Sequence, residues 1–261
     1  MKNPPWVLVL GASSGFGAAA CRAFAEAGHP ILGVHLDRSS TLAQAEDLKE
    51  SIEQLGQPVH LFNRNAADSD AREEMIQEMQ SIIGDGTIGV LLHSLAFGSL
   101  RPFIATEGAP GLTERQLTMT LEVMGNSLVW WSRSLVDKNL MQDGGRIYAM
   151  TSSGSRAAIP SYGAVGAAKA TLESHVRYLA MELAPLGITA NAVLAGVTDT
   201  PALRKIPGHE EMIQVATARN PSKRLTTPED VASCLVELAR PGTAWLTGNT
   251  LRIDGGEDIC A

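Results

Sequence analysis

Residues 6–17 read WVLVLGASSGFG, a short apolar run that breaks straight into three glycines, Gly11, Gly15 and Gly17, in G-x3-G-x-G spacing. A run of this length suits a strand buried on both faces and is too short for the core of a signal peptide. Glycine in the turn permits positive φ and lets backbone amides come close to an anion. The helix expected next would turn its positive N-terminal end to the same place. Strand, glycine-rich turn and helix in that order make a cradle for the pyrophosphate of a dinucleotide. Gly11, Ser13, Ser14, Gly15, Phe16 and Gly17 are its candidate lining.

Outward from this turn, six more runs rich in Val, Ile and Leu follow, at 31–36, 59–62, 88–93, 146–150, 188–194 and 250–253. Between most of them lie longer stretches with helical apolar spacing, such as TLAQAEDLKESIEQLG and DAREEMIQEMQSIIG. That alternation implies right-handed βαβ units on a parallel sheet. The expected fold is therefore α/β: a single doubly wound Rossmann domain over 1–261, with a seven-stranded parallel sheet and helices on both faces. No repeat or linker divides it. The least regular stretch follows the sixth run and reads as a substrate-covering segment at about 199–220.

Composition narrows the class. A formal net charge of −7 argues against a nucleic-acid surface. No apolar run approaches the roughly 18 residues of a membrane span. Cys21, Cys234 and Cys260 are scattered and lack CxxC spacing, which suits a reducing compartment and no metal site. The expectation is a soluble cytoplasmic protein.

The second run ends in GVHLDRSS, with Asp37 and Arg38 side by side. A carboxylate there would bind the adenosine ribose and repel a 2′-phosphate, and an arginine would do the reverse. If His35 stands next to the ribose, Asp37 points away and leaves Arg38 and Ser39 for a phosphate. NADP(H) is favoured on that basis, with NAD(H) as the alternative. Further on, PSYGAVGAAKATLE (160–173) holds Tyr162 and Lys169 seven positions apart. On a helix that is about two turns, so both side chains would share one face about 10 Å apart, within reach of one bound molecule. The plainer alternative is a tyrosine anchoring a helix start and a lysine snorkelling from a packed face.

GASSGFG, RNA (64–66), HSLAFG (93–98), TSSGS (151–155), YGAVGAAK, NAVLAGVTDT (191–200) and IDGG (253–256) follow one another in this order. Together they resemble the short-chain dehydrogenase/reductase family along nearly the whole chain. Most members place tyrosine and lysine four apart, which here would put Val165 in the tyrosine position. The Tyr-x6-Lys spacing, HSLAFG and IPSY instead resemble the enoyl-thioester branch, as in enoyl-acyl-carrier-protein reductases. An enoyl thioester takes hydride at Cβ and develops charge on the thioester oxygen, so a hydroxyl displaced by one turn suits it.

That resemblance implies Tyr162 as the donor to the enolate oxygen and Lys169 as the ligand of the nicotinamide ribose. Ser152 stands ten before Tyr162, where many enoyl reductases keep a further tyrosine, and 17 before Lys169, where the carbonyl-reducing branch keeps a serine. It would hold a substrate oxygen or merely bond a backbone group. Met124 occupies the position of that branch's helix asparagine, with Asn126 two residues on. Asn65 and Ala66 would border the adenine, and His93, Ser94, Leu95 and Ala96 the ribose and nicotinamide. Val197 would meet the carboxamide and Thr200 the pyrophosphate. Phe97 would floor the acyl pocket or belong to the core. Arg204 and Lys205 would meet the phosphate of a pantetheine arm or an acidic carrier, or form a solvated charge pair.

The implied substrate is an acyl thioester on acyl carrier protein or coenzyme A. The implied assembly is a homotetramer, pairing the expected long helices at 120–136 and 166–184 and making a second contact through 246–256. Two other functions stay open: a carbonyl or alcohol oxidoreductase acting on 3-oxoacyl or alicyclic substrates, and a non-catalytic dinucleotide-binding sensor.

Overall fold

The N-terminal apolar run forms β1 (Trp6–Leu10), parallel to β2 (Ile31–His35) on one side and to β4 (Ile88–His93) on the other. This computed structural model describes residues 4–260, so the ends of the expected domain, 1–3 and 261, lie outside the described residues. β3 (Val59–Asn63), β5 (Arg146–Thr151), β6 (Thr189–Ala195) and β7 (Thr250–Ile253) complete a seven-stranded sheet in the order β3-β2-β1-β4-β5-β6-β7. Every pairing is parallel. Strand order reverses between β1 and β4, which opens a crevice beyond the carboxyl ends of those strands.

Alternation along the strands divides the core. Leu8 and Leu10 face one side with α3 (Ser69–Ile83), α5 (Ser127–Asp137) and α6 (Gly163–Leu183). Val7 and Val9 face the other with α1 (Gly15–Glu26), α2 (Leu42–Gln54) and α8 (Pro228–Leu238). Period-two alternation sends neighbouring residues to opposite faces, and both faces are apolar because both are covered. Each fully buried Leu or Val contributes about 1.5–3 kcal/mol.

The boundaries move little from expectation. β2 stops at His35 because the next residue, Leu36, is 65% exposed. The stretch at 120–136 is not one regular helix. α4 (Glu114–Leu121) passes through a π-helical turn (Glu122–Asn126) into α5. Inside that turn Gly125 lies against α6, where a Cβ would stand 3.2 Å from the Ala168 carbonyl oxygen. The covering segment also gains structure: a 3-10 turn (Leu203–Lys205) and α7 (His209–Arg219). No helix among the described residues is long and apolar enough to cross a membrane.

Candidate active site

The glycine turn caps the crevice. Gly11 and Gly15 take φ of 86° and 52°, the left-handed region open to glycine. A Cβ on Gly11 would sit 2.5 Å from the Ser94 carbonyl oxygen, and one on Gly17 only 1.9 Å from the Gly11 oxygen. Ser94 N–H donates to the Leu10 oxygen at 2.8 Å, which locks the end of β4 to the end of β1. Ser14 caps α1 in extended conformation with no side-chain cap bond, and no acidic side chain lies in the first turn. The first amides of a helix have no acceptor within it. These residues fit a dinucleotide: a cradle that a Cβ would fill, open amides at its floor, and the buried Thr200 with its methyl 3.5 Å from a Cβ built on Gly15.

At the end of β2, His35 and Asp37 pair with each other. His35 is buried, and its Nδ1 lies 2.7 Å from Asp37 Oδ2. Asp37 N–H donates to Asn63 Oδ1, and Asn63 Nδ2 donates back to the Asp37 oxygen. Partial burial pushes the Asp37 carboxyl up, but hydrogen bonds from Ser13, Thr41 and His35 outweigh it and hold the group below the usual carboxylate range. The carboxylate is thus engaged by the neighbouring imidazole of His35. Arg38 is exposed and forms no ion pair among the described residues.

Tyr162 and Lys169 both lie in the first part of α6, though not as two residues of one helix. The helix begins at Gly163 with Tyr162 as its N-cap residue, and Ser161 before it holds φ of 60°. A non-glycine residue in that region stores on the order of 1 kcal/mol. The phenol ring lies on Gly154, where a Cβ would come within 2.5 Å of it. Its hydroxyl is 3.3 Å from Ser152 Oγ, so Ser152 reaches the tyrosine. Burial pushes the Tyr162 hydroxyl up, partly offset by Ser152. Lys169 is buried and donates to the Met150 carbonyl oxygen at 2.7 Å. Burial lowers its pKa to about 8, with Glu173 opposing the shift.

Val165 is buried in a small cluster with Met124 and Ala168. Asn126 is committed to Glu122 at 2.9 Å and His175 at 3.2 Å. His93 is fully buried at the end of β4, with Nε2 2.8 Å from Ser127 Oγ and Nδ1 without a partner. Burial, helped by the Lys169 cation, pushes its pKa down to about 3, so the ring is neutral.

Beside Tyr162 opens a groove of about 440 Å³, lined by Phe103, Arg156, Ile159, Ala167 and Ala170 among others. Phe103 comes from the loop after β4, its ring so close to Gly163 that a Cβ there would stand 2.7 Å away. Sequence reasoning missed Phe103 and Arg156. The signal for Phe103 is an aromatic in a Pro- and Gly-rich loop that also holds Phe97, and no periodicity chooses between the two. Phe97 is 58% exposed and lies neither in the core nor in this lining.

Arg156 forms an ion pair with Asp258 of the C-terminal segment, which also meets Arg252 at 3.2 Å. The residues expected beside the adenine and the carboxamide have partners of their own. Asn65 Oδ1 accepts from Ala67 N–H, and the Ala66 oxygen accepts from Trp131 Nε1. Val197 N–H donates to Glu257 at 3.0 Å, leaving its carbonyl for a ligand. Leu95 packs on the core, and Ala96 is exposed. Arg204 is held in a two-bond pair with Asp199 at 2.7 and 2.8 Å, which neutralises it, while Lys205 is exposed.

Comparison with known proteins gives a consistent picture. The family model described as "Enoyl-(Acyl carrier protein) reductase" matches residues 11–257. A "1-cyclohexenylcarbonyl-CoA reductase" of Streptomyces collinus is 42% identical over 124 residues, which is 47% of this chain and 44% of that one. An "Enoyl-[acyl-carrier-protein] reductase [NADPH]" of Staphylococcus aureus is 30% identical over 214 residues, 81% of this chain and 80% of that one. Among solved structures, an enoyl-[acyl-carrier-protein] reductase (NADH) from Aquifex aeolicus superposes with a TM-score of 0.84 at 22% identity, over 98% of this chain and 97% of that one. At that identity the superposition speaks for the fold alone.

Proposed function

Because this chain belongs to the enoyl-(acyl carrier protein) reductase family of the short-chain dehydrogenases/reductases, and is thus an NAD(P)H-dependent oxidoreductase, we propose that it reduces the α,β double bond of an enoyl thioester. The thioester is carried on acyl carrier protein or coenzyme A. The observation that carries this reading is the tyrosine register. Tyr162 lines the groove, while the position four before Lys169 is a buried valine.

The dinucleotide supplies the hydride when bound. The chain's own residues supply position and field. Tyr162 donates its hydroxyl proton toward the thioester oxygen as charge develops there, and a raised pKa keeps that proton available at neutral pH. Ser152 Oγ orients the phenol from 3.3 Å. Lys169, fixed by one bond to the Met150 oxygen, turns its other protons to the ribose hydroxyls and adds a positive charge beneath the developing anion. The groove's alanines, Ile159 and Phe103 shed water around an apolar acyl chain. Lys205, exposed and in no ion pair among the described residues, meets a carrier phosphate, since Arg204 is spent on Asp199. Unpartnered Arg38 holds a 2′-phosphate and favours NADP(H), and Asp37 works against it. Exposed Tyr178 and Met181 on α6, and Trp245 at 97% exposure, are the surfaces a homotetramer would cover.

The Ser152–Tyr162 contact favours a second reading, carbonyl reduction; the buried Met124 in place of a proton-relaying asparagine opposes it. Following NADPH loss with crotonyl-CoA against acetoacetyl-CoA tests both. We expect turnover with crotonyl-CoA, and activity confined to acetoacetyl-CoA would overturn the enoyl reading. Tyr162→Phe should lower kcat about 100-fold with dinucleotide affinity unchanged. An undiminished kcat removes the tyrosine from the chemistry.

A further inference from the structure

Lys169 and Glu173 lie one turn apart on α6, the spacing at which opposite charges on a helix ordinarily meet. Here they do not. Glu173 Oε1 accepts instead from Thr151 Oγ1 of β5 at 2.7 Å, while Lys169 Nζ donates to the Met150 oxygen, one residue before Thr151, at 2.7 Å. Two neighbouring residues of β5 thus draw the two charges to separate anchors. A Glu173 carboxylate free to swing would take the ammonium protons that the ribose hydroxyls need.

We propose that Thr151 and Glu173 act as a positioning pair: Thr151 holds the carboxylate off Lys169, near enough to keep the lysine charged and too far to compete for its protons. This rests on the reading of Lys169 as the ribose ligand. The pair deepens that reading with Glu173, which lies outside every motif that marks the family likeness, and with Thr151, the first residue of TSSGS.

The surroundings leave the role to Glu173. From β4, Lys169 is faced by His93, which burial keeps neutral. Tyr162 bonds Ser152 and carries its proton. The π-helical turn presents Met124 to α6, and its Glu122 bonds Asn126 and Trp130. Arg177, one turn beyond Glu173, is exposed and makes no ion pair among the described residues. Glu173 is thus the charge that raises the Lys169 pKa against the burial that lowers it to about 8.

The test is NADPH titration by fluorescence across the alkaline range, which needs no acyl substrate. Lys169 must be protonated to serve the ribose, so affinity falls as pH rises through its pKa. In Glu173→Gln that fall should begin about one pH unit lower. In Thr151→Val the released carboxylate should weaken affinity about fivefold at neutral pH and move the fall to higher pH. Thr151→Ser should restore both. Opposite movements in the two variants support the pair; a fall that stays put in both, or moves the same way in both, overturns it. Lys169→Ala is the control: if it binds NADPH as the wild type does, the ribose reading itself fails and takes the pair with it.

Discussion

In the cradle between β1 and α1 the walls are backbone: the Gly11 oxygen, the Ser94 oxygen and the open amides at the start of α1. In the groove beside α6 they are side chains drawn from three places: Phe103 from the loop after β4, Arg156 and Ile159 from the loop after β5, and Tyr162 from the helix start. Backbone walls tolerate almost no change, because no rotamer can move them aside. Side-chain walls set what is bound and can be recut one residue at a time. A site made this way keeps its cofactor while its substrate varies.

The most severe way to break this contrast is Gly17→Ala. Its Cβ would meet the Gly11 oxygen at 1.9 Å, with the rest of the Gly11–Ala12 backbone close behind. We expect a loss of about 3 kcal/mol in stability, seen as a lowered Tm, and no NADPH binding. A variant that melts and binds like the wild type would show that the cradle gives way after all.

A middling effect should come from moving the hydroxyl by one turn, in Tyr162→Phe with Val165→Tyr. Were spacing alone decisive, this variant would gain acetoacetyl-CoA reduction. Val165 is buried against Met124 and Ala168, so a phenol there overpacks the cluster. A stability loss of about 2 kcal/mol and no ketone reduction are expected. Ketone turnover would mean that register is separable from the packing around it.

The smallest effect sharpens the cradle's outer edge. Arg38→Ala should raise the Kd for NADPH about tenfold and leave NADH binding unchanged, since a guanidinium–phosphate contact stabilises by about 1.4 kcal/mol here. Equal affinities for NADPH in both proteins would leave the 2′-phosphate without a partner.

How far the site was legible follows the same division. Gly11, Gly15 and Gly17 could be read from spacing because a backbone requirement for glycine is local and leaves one residue choice. Tyr162 and Lys169 could be read because a polar pair in an apolar helix is rare and their spacing carries geometry. The direction of the Asp37 carboxylate could not. It depends on His35 and on Asn63, whose side chain holds the Asp37 backbone only once β2 and β3 lie side by side. For Arg204 the sequence leaves open a phosphate ligand or a solvated charge, and its pairing with Asp199 depends on the turn between them.

By itself the sequence determined the order of strands and helices, the buried alternation along the sheet, and the place of the glycine-rich turn. These rest on periodicity and backbone conformation, which act over a few residues. Tertiary structure alone decided the π-helical turn pressed on α6, the seat of Phe103 at the mouth of the groove, and the separate anchoring of Lys169 and Glu173 on β5. Each is a contact between segments far apart along the chain, and close packing selects such contacts only after the whole sheet has brought them together.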